Sequence, residues 1–130
     1  MGGAIGLGNN SPVAEFNIQV DPEAAHLVFE NETLEIFMVP LEITHTALVN
    51  DNVLDSIKSF SSNFSDILID LLLFYKNRTE AWLDGERPEA YLHDPCAVAF
   101  VIDPSIFEYK LARVDVEMVN IFSFRIKLFY

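Results

Sequence analysis

The chain has 130 residues, of which 51% are apolar and 12% aromatic, so it suits one folded domain and is not an intrinsically disordered chain. Its formal net charge of -12 repels phosphate backbones and anionic lipid headgroups, which excludes nucleic acid and membrane surfaces as expected partners. The one cysteine, Cys96, cannot form an internal disulfide and no signal-peptide pattern opens the chain, so a cytoplasmic protein is predicted.

The first half of the chain alternates helical and strand-like patterns. A helix is predicted over 21–30, because Asp21 can cap free N–H groups and Pro22 suits the first helical position. The β-branched and aromatic stretch 34–44 has no helical period and predicts a buried strand that ends near Pro40 or Ile43. From Asn50 the pattern is helical again, and its apolar stripe predicts a helix covered on much of its circumference. The stripe consists of Phe64, Ile67, Leu68, Leu71, Leu72 and Tyr75.

The second half repeats this alternation. The polar stretch 77–90 is predicted to be a loop or short helical turns, and a helix of about two turns is predicted between Asp94 and Asp103. Strands are predicted over 107–118 and 122–130, the second with apolar and polar residues alternating at a period of two. Helices next to buried strands indicate an α/β arrangement of layers.

Two long motifs match the pattern of a known protein family. The motif GGxxGxGNxxPxAEFNxxxDPEAA spans Gly2–Ala25, and HDPCAVAFVIDPSIF spans His93–Phe107. Both resemble segments of the inosine-uridine preferring nucleoside hydrolases, as does ITHT at Ile43–Thr46. The resemblance covers residues 1–117, which would be the C-terminal part of such a domain. Residues 118–130 are expected to be a divergent, strand-like tail outside it.

The resemblance implies a fold and an activity. The fold would be α/β, with an open and mostly parallel sheet flanked by helices, and incomplete here because the N-terminal half is expected to be absent. The activity would be calcium-dependent hydrolysis of the N-glycosidic bond of a ribonucleoside such as inosine or uridine, giving ribose and free base. The family's aspartate cluster of the form DxDxGxDD does not occur in this sequence. The truncated chain is therefore expected to be inactive. Whether it forms a homo-oligomer is not decided by the sequence.

The resemblance also implies a set of site residues. His93 would protonate or contact the leaving base, a task that suits imidazole because its ordinary pKa lies near neutrality. Asp94 would supply a carboxylate to calcium. Carboxylate and amide groups suit the hydroxyls of a sugar. The residues that would bind or shape the ribose pocket are Met1, Asn9, Glu15, Phe16 and Asn17.

Two other interpretations stay open from the sequence. The chain could be a non-catalytic remnant or interaction module that keeps the α/β scaffold, or an unrelated α/β domain whose polar residues only cap helices. Purine or pyrimidine preference is not decided by the sequence. The side chains that could stack on a base, or equally pack in the fold, are Tyr75, Trp82 and Tyr91. Those given structural roles are Asp21, His26, His45, Cys96 and Asp103.

Overall fold

The computed structural model describes most of the chain, namely residues 1–82, 90–118 and 126–129. In chain order its elements are α1 (Phe16–Val20), α2 (Pro22–Phe29), α3 (Leu41–Thr44), β1 (Leu48–Val49), α4 (Asp51–Ser59), α5 (Asn63–Trp82), β2 (Ala90–Tyr91), α6 (Asp94–Ile102), a 3-10 turn (Pro104–Ile106), β3 (Arg113–Val116) and β4 (Ile126–Phe129). The chain forms two compact units, one of Met1–His45 with His93–Tyr130 and one of Thr46–Leu92. None of the described helices is both long and apolar enough to cross a bilayer.

The core of the first unit forms where α2 packs against β3. Ile18 and Val116 are buried at its centre. Four partly buried side chains pack around them, namely Ala25, Phe29, Met38 and Val114. β3 pairs antiparallel with β4, which places Val116 opposite Ile126. The small core therefore combines side chains that precede α3 in the sequence with side chains of β3, which follows it.

The predicted helix starts at the Asp-Pro sequences are confirmed. The Asp21 carboxylate accepts a hydrogen bond from the N–H of Ala24 at 2.9 Å, so it caps α2 as expected. α6 begins at Asp94 and runs for nine residues, which agrees with the predicted two turns. Asp103 follows it and accepts hydrogen bonds from the backbone and hydroxyl of Ser105 at 3.0 and 2.6 Å. These carboxylates satisfy helix and turn N–H groups that would otherwise lack partners.

The predicted buried strand over 34–44 is wrong, because α3 forms its end and the preceding residues have no regular structure. A strand needs a ladder of backbone hydrogen bonds. Within the described part of the chain, the opening residues give this stretch two such bonds, from Gly2 N–H to the Val39 carbonyl at 3.2 Å and from Leu41 N–H to the Gly3 carbonyl at 3.0 Å. Pro40, which lies between Val39 and Leu41, has no N–H to extend a ladder and instead stands at the start of α3.

The second unit is built on a short antiparallel strand pair. β1 and β2 place Val49 opposite Ala90, and both side chains are buried. α4 follows β1 directly and is capped by Asn50, whose side-chain oxygen accepts a hydrogen bond from the N–H of Val53 at 3.1 Å. α4 and β2 both pack against α5.

α5 forms as a long helix, but the prediction that its apolar stripe is covered is wrong. Ser65 is buried on the packed side of the helix, at 2% exposure. Large apolar side chains of the stripe and beside it are exposed: Phe64 73%, Ile67 58%, Leu71 60% and Phe74 65%. Within the described part of this unit, α4 and β2 cover one side of the helix. The periodicity thus marks a surface that could be buried, without specifying what buries it.

The mixture of helices and strands confirms the α/β class, although both strand pairs in the described residues are antiparallel. The parallel ladder that the family resemblance implies is thus not within them. The strand predicted over 107–118 is confirmed for the four residues of β3, and the one over 122–130 for the four of β4. Residues 119–125 and Tyr130 lie outside the described residues, as do residues 83–89 of the predicted loop. The first residues of that loop continue α5 to Trp82.

Candidate functional site

The opening segment turns back on itself before α1. The backbones of Ser11 and Ala14 exchange two hydrogen bonds of 3.3 Å, and the N–H of Gly8 donates to the Pro12 carbonyl at 3.3 Å. This turn brings the Asn9 side chain to the start of α1, where its Oδ1 accepts a hydrogen bond from the Phe16 N–H at 2.8 Å. The loop therefore fixes the position of the Asn9 amide.

Glu15 ties the opening residues to the start of α1. Its Oε2 accepts hydrogen bonds from the N–H groups of Gly3 at 2.8 Å and Ile18 at 3.2 Å. Its Oε1 accepts a third, from Asn17 Nδ2 at 3.2 Å. The side chain is 3% exposed, so these partners replace the water that an ionised carboxylate needs. Glu15 is thus a helix cap as well as a predicted site residue.

Asn17 uses both hydrogens of its side-chain amide inside the protein. Its Nδ2 donates to Glu15 Oε1 and to the sulfur of Met1, each at 3.2 Å. These bonds fix the orientation of the amide, and no described residue donates a hydrogen bond to its Oδ1. Phe16 lies next to it with 55% of its surface exposed. The structure therefore brings together the predicted ribose residues, which we call the polar rim: Met1, Asn9, Glu15, Phe16 and Asn17.

His93 stands immediately before α6, next to the exposed Asp94. Its Nδ1 lies 2.8 Å from the hydroxyl oxygen of Thr44, the last residue of α3, which is 0% exposed. The His45 ring packs against the His93 ring with centroids 5.7 Å apart and planes at 67°. His45 thus packs next to a predicted site residue, in line with the structural role expected from the sequence.

Four hydrogen bonds, connected through the backbones of Gly3 and Leu41, link the polar rim to His93 within the first unit. They run from Glu15 Oε2 to the Gly3 N–H at 2.8 Å, and from the Gly3 carbonyl to the Leu41 N–H at 3.0 Å. They continue from the Leu41 carbonyl to the Thr44 hydroxyl at 3.2 Å, and from there to His93 at 2.8 Å. Two motifs that are distant in the sequence are therefore linked through α3.

Two residues of α3 contribute to this region without having been assigned a role from the sequence. The Glu42 carboxylate accepts hydrogen bonds from the N–H groups of Ile5, at 3.0 Å, and Gly6, at 2.7 Å. Burial alone would raise the pKa of Glu42, but these two bonds, a third from its own backbone N–H and the nearby His45 together leave the pKa lowered. The second of these α3 residues is Thr44, whose hydroxyl contacts His93. The available signal for Thr44 was a hydroxyl inside a largely apolar stretch, since such a group typically needs a partner when buried.

The described residues do not by themselves fit a calcium ion. Calcium takes about six to eight oxygen ligands. No group of three or more His, Cys, Asp or Glu side chains in the described ranges could hold a metal. Asp94 offers one carboxylate, which by itself is too few ligands for a calcium site.

Other polar and aromatic residues occupy structural positions. His26 faces Glu30 along α2 at 3.1 Å, and Asn10 donates from its amide to Gln19 at 2.6 Å. Cys96 is buried in α6, where burial raises the pKa of its thiol. Tyr75 and Tyr91 belong to the second unit, and the side chain of Trp82 lies outside the described residues, so base stacking by these residues stays a prediction.

Comparison with known proteins places these features in context. A sequence model of the inosine-uridine preferring nucleoside hydrolases matches residues 1–123. The chain is 47% identical over 123 residues to a probable ribonucleoside hydrolase of Dictyostelium discoideum, covering 90% of this chain and 35% of that protein. It is 41% identical over 120 residues to an inosine-uridine preferring nucleoside hydrolase of Crithidia fasciculata, covering 92% and 37%.

The fold is also that of a solved enzyme. The chain superimposes on a plant nucleoside hydrolase, the PpNRh1 enzyme, with a TM-score of 0.85 and 31% sequence identity. The match covers 98% of this chain and 39% of the plant protein, which confirms the predicted α/β fold. The chain thus spans between 35% and 39% of the length of these three proteins.

Proposed function

Because the chain belongs to the inosine-uridine preferring nucleoside hydrolase family, we propose that it carries the ribose-binding and leaving-base part of a ribonucleoside hydrolase. The reaction would break the N-glycosidic bond of a ribonucleoside and release ribose and the free base. The observation that carries the proposal is the hydrogen-bond path from Glu15 through α3 to His93, because it links the groups for the sugar to the group for the base.

The polar rim offers the hydrogen-bonding groups that a sugar diol needs. Asn17 Oδ1 can only accept a hydrogen bond, and Glu15 Oε1 can accept one more besides that from Asn17. The side-chain amide of Asn9 can donate, because its oxygen already accepts from Phe16. Each sugar hydroxyl both donates and accepts, so this mixture can satisfy two neighbouring hydroxyls. The exposed ring of Phe16 would lie beside the sugar as an apolar wall.

His93 would serve the leaving base as an acid or hydrogen-bond donor. A base leaves more readily when a ring nitrogen is protonated or hydrogen-bonded, since less negative charge then develops on it. Asp94, the neighbouring residue, would contribute one carboxylate to calcium, which takes about six to eight oxygen ligands and so needs others besides. The substrates would be ribonucleosides such as inosine or uridine, as the names of the related proteins indicate.

The ribose contact is tested by replacing Asn17. We expect Asn17→Ala to weaken inosine binding about tenfold, because it removes one hydrogen bond of about 1–1.5 kcal/mol and the donor that orients Glu15. Titration by saturation-transfer difference NMR measures the binding. Asn10→Ala is the matched control, since it removes the same type of side chain from the loop just before α1, at a residue that donates to Gln19. Equal weakening by both substitutions would refute a sugar contact at Asn17.

A second candidate is a non-catalytic remnant or interaction module. It is favoured because no group of three or more His, Cys, Asp or Glu side chains among the described residues could hold a metal. Base release from inosine and uridine in the presence of calcium, measured together with inosine binding, distinguishes the candidates. For the isolated 130-residue polypeptide we expect no release, with or without His93→Ala. Release that His93→Ala abolishes would show that the polypeptide is a complete enzyme. Absence of both release and inosine binding would support the remnant.

A further inference from the structure

We propose that Thr44 is a positioning residue for His93, which holds the ring through Nδ1 and fixes the neutral tautomer that carries its hydrogen there. In that tautomer Nε2 carries no hydrogen, so His93 would act as an acid toward the leaving base only after the ring takes up a second proton, at Nε2. This proposal rests on the proposed role of His93, but the tautomer itself can be measured without any substrate.

The Thr44 hydroxyl has a single hydrogen to donate. Its oxygen lies 3.2 Å from the Leu41 carbonyl and 2.8 Å from His93 Nδ1. A carbonyl can only accept a hydrogen bond, so the hydroxyl hydrogen must point to Leu41 for that bond to form. The hydroxyl oxygen is then an acceptor toward His93. Both bonds form together only when Nδ1 carries a hydrogen.

The opposite tautomer would lose one of these bonds. With no hydrogen on Nδ1, the Thr44 hydroxyl would have to donate to the ring and could no longer donate to Leu41. The Leu41 carbonyl would keep its bond from the His45 N–H at 2.8 Å, but the buried hydroxyl would make one hydrogen bond in place of two. The geometry therefore favours hydrogen on Nδ1.

The environment makes Thr44 a rigid support. Its side chain is 0% exposed, so water does not compete for the hydroxyl. α3 is held at Leu41, which is 1% exposed and bonded to the Gly3 carbonyl, and at Glu42, which binds the N–H groups of Ile5 and Gly6. The residue that holds His93 is thus attached to the same opening segment that carries the polar rim.

The proposal is tested by NMR of the histidine ring nitrogens in the 130-residue chain. Two-bond ¹H–¹⁵N correlation distinguishes a nitrogen that carries hydrogen from one that does not. The spectrum is taken about two pH units above the ordinary histidine pKa, where the neutral ring predominates, and the His93 signals are assigned by their loss in His93→Gln. We expect Nδ1 of His93 to have the shift of a hydrogen-bearing nitrogen.

Substitution at Thr44 supplies the decisive comparison. Thr44→Val replaces the hydroxyl by a methyl group of similar shape, and we expect the His93 shifts to move toward the tautomer with hydrogen on Nε2. Thr44→Ser keeps the hydroxyl and should restore the pattern of the parent. If the valine variant does not fold, Thr44→Ala removes the hydroxyl without adding a methyl group. Hydrogen on Nε2 in the parent, or identical shifts in the parent and the hydroxyl-free variant, would overturn the proposal.

These outcomes are separate from those of the proposed function. Absence of inosine binding by the unsubstituted chain would refute the ribose site, while the His93 tautomer would still test the positioning role of Thr44. Conversely, inosine binding with no effect of Thr44→Val on the ring nitrogens would leave the ribose site standing and refute the positioning role.

Discussion

Glu15→Ala is expected to lower the free energy of unfolding by about 3 kcal/mol, since it leaves donors without a charged acceptor in a buried site. The donors are the N–H groups of Gly3 and Ile18 and the amide of Asn17. The loss also releases the opening segment from α1, so inosine binding should disappear with it. Urea denaturation followed by circular dichroism measures the change in stability.

Two further substitutions serve as controls for this result. Glu15→Gln keeps an oxygen for the two backbone N–H groups, and the Asn17 amide can rotate to offer its oxygen to the new amide, so a loss of about 1 kcal/mol is expected. Glu42→Ala also removes a carboxylate that binds two backbone N–H groups, but at an exposed position where water can replace it. A Glu15→Ala protein as stable as Glu42→Ala would contradict the buried capping role.

Gly8→Ala should be the second most damaging change, with a loss of about 2–3 kcal/mol from overpacking. A Cβ atom at this position would lie 2.1 Å from the Ala14 carbonyl oxygen and 2.5 Å from that of Ser11. Both contacts are with backbone, so the turn that positions Asn9 would have to open. Urea denaturation and inosine titration of the same sample measure the two consequences.

Gly6→Ala is the matched control for this substitution. Its Cβ would meet one atom of the flexible Glu42 side chain at 3.4 Å, a distance that a small rotation relieves. We expect a change in unfolding free energy within about 0.5 kcal/mol of the parent, as for most surface substitutions. If both glycine substitutions had the same effect, close backbone packing at Gly8 would not be the reason for it.

The elements that could be predicted from the sequence are those specified by local chemistry. α2 and α6 each begin at an Asp-Pro pair, whose side chain and fixed backbone angle favour a helix start regardless of the rest of the fold. The polar rim was found from its motif. Its grouping depends on bonds between residues close in the sequence, such as Glu15 with Ile18 and Asn9 with Phe16.

The features that could not be predicted depend on distant neighbours. The stretch before α3 has the composition of a strand, but pairing decides whether a strand forms, and composition does not name the partner. The prediction that the apolar stripe of α5 is buried was wrong for a similar reason. Periodicity identifies the apolar face of a helix but not the element that packs against it. The contact between Thr44 and His93 joins residues 49 positions apart, and no local pattern connects them.

The fixed amide of Asn17 has a consequence for which sugars could bind. Both of its hydrogens are engaged by Met1 and Glu15, so its oxygen requires a ligand that supplies a hydrogen. An unmodified ribose can do so, whereas a deoxy position or a methyl ether cannot, and either would bury the oxygen without a partner. With the proposed ribose site, the Asn17 amide would therefore lower the affinity for deoxynucleosides and O-methylated nucleosides relative to ribonucleosides.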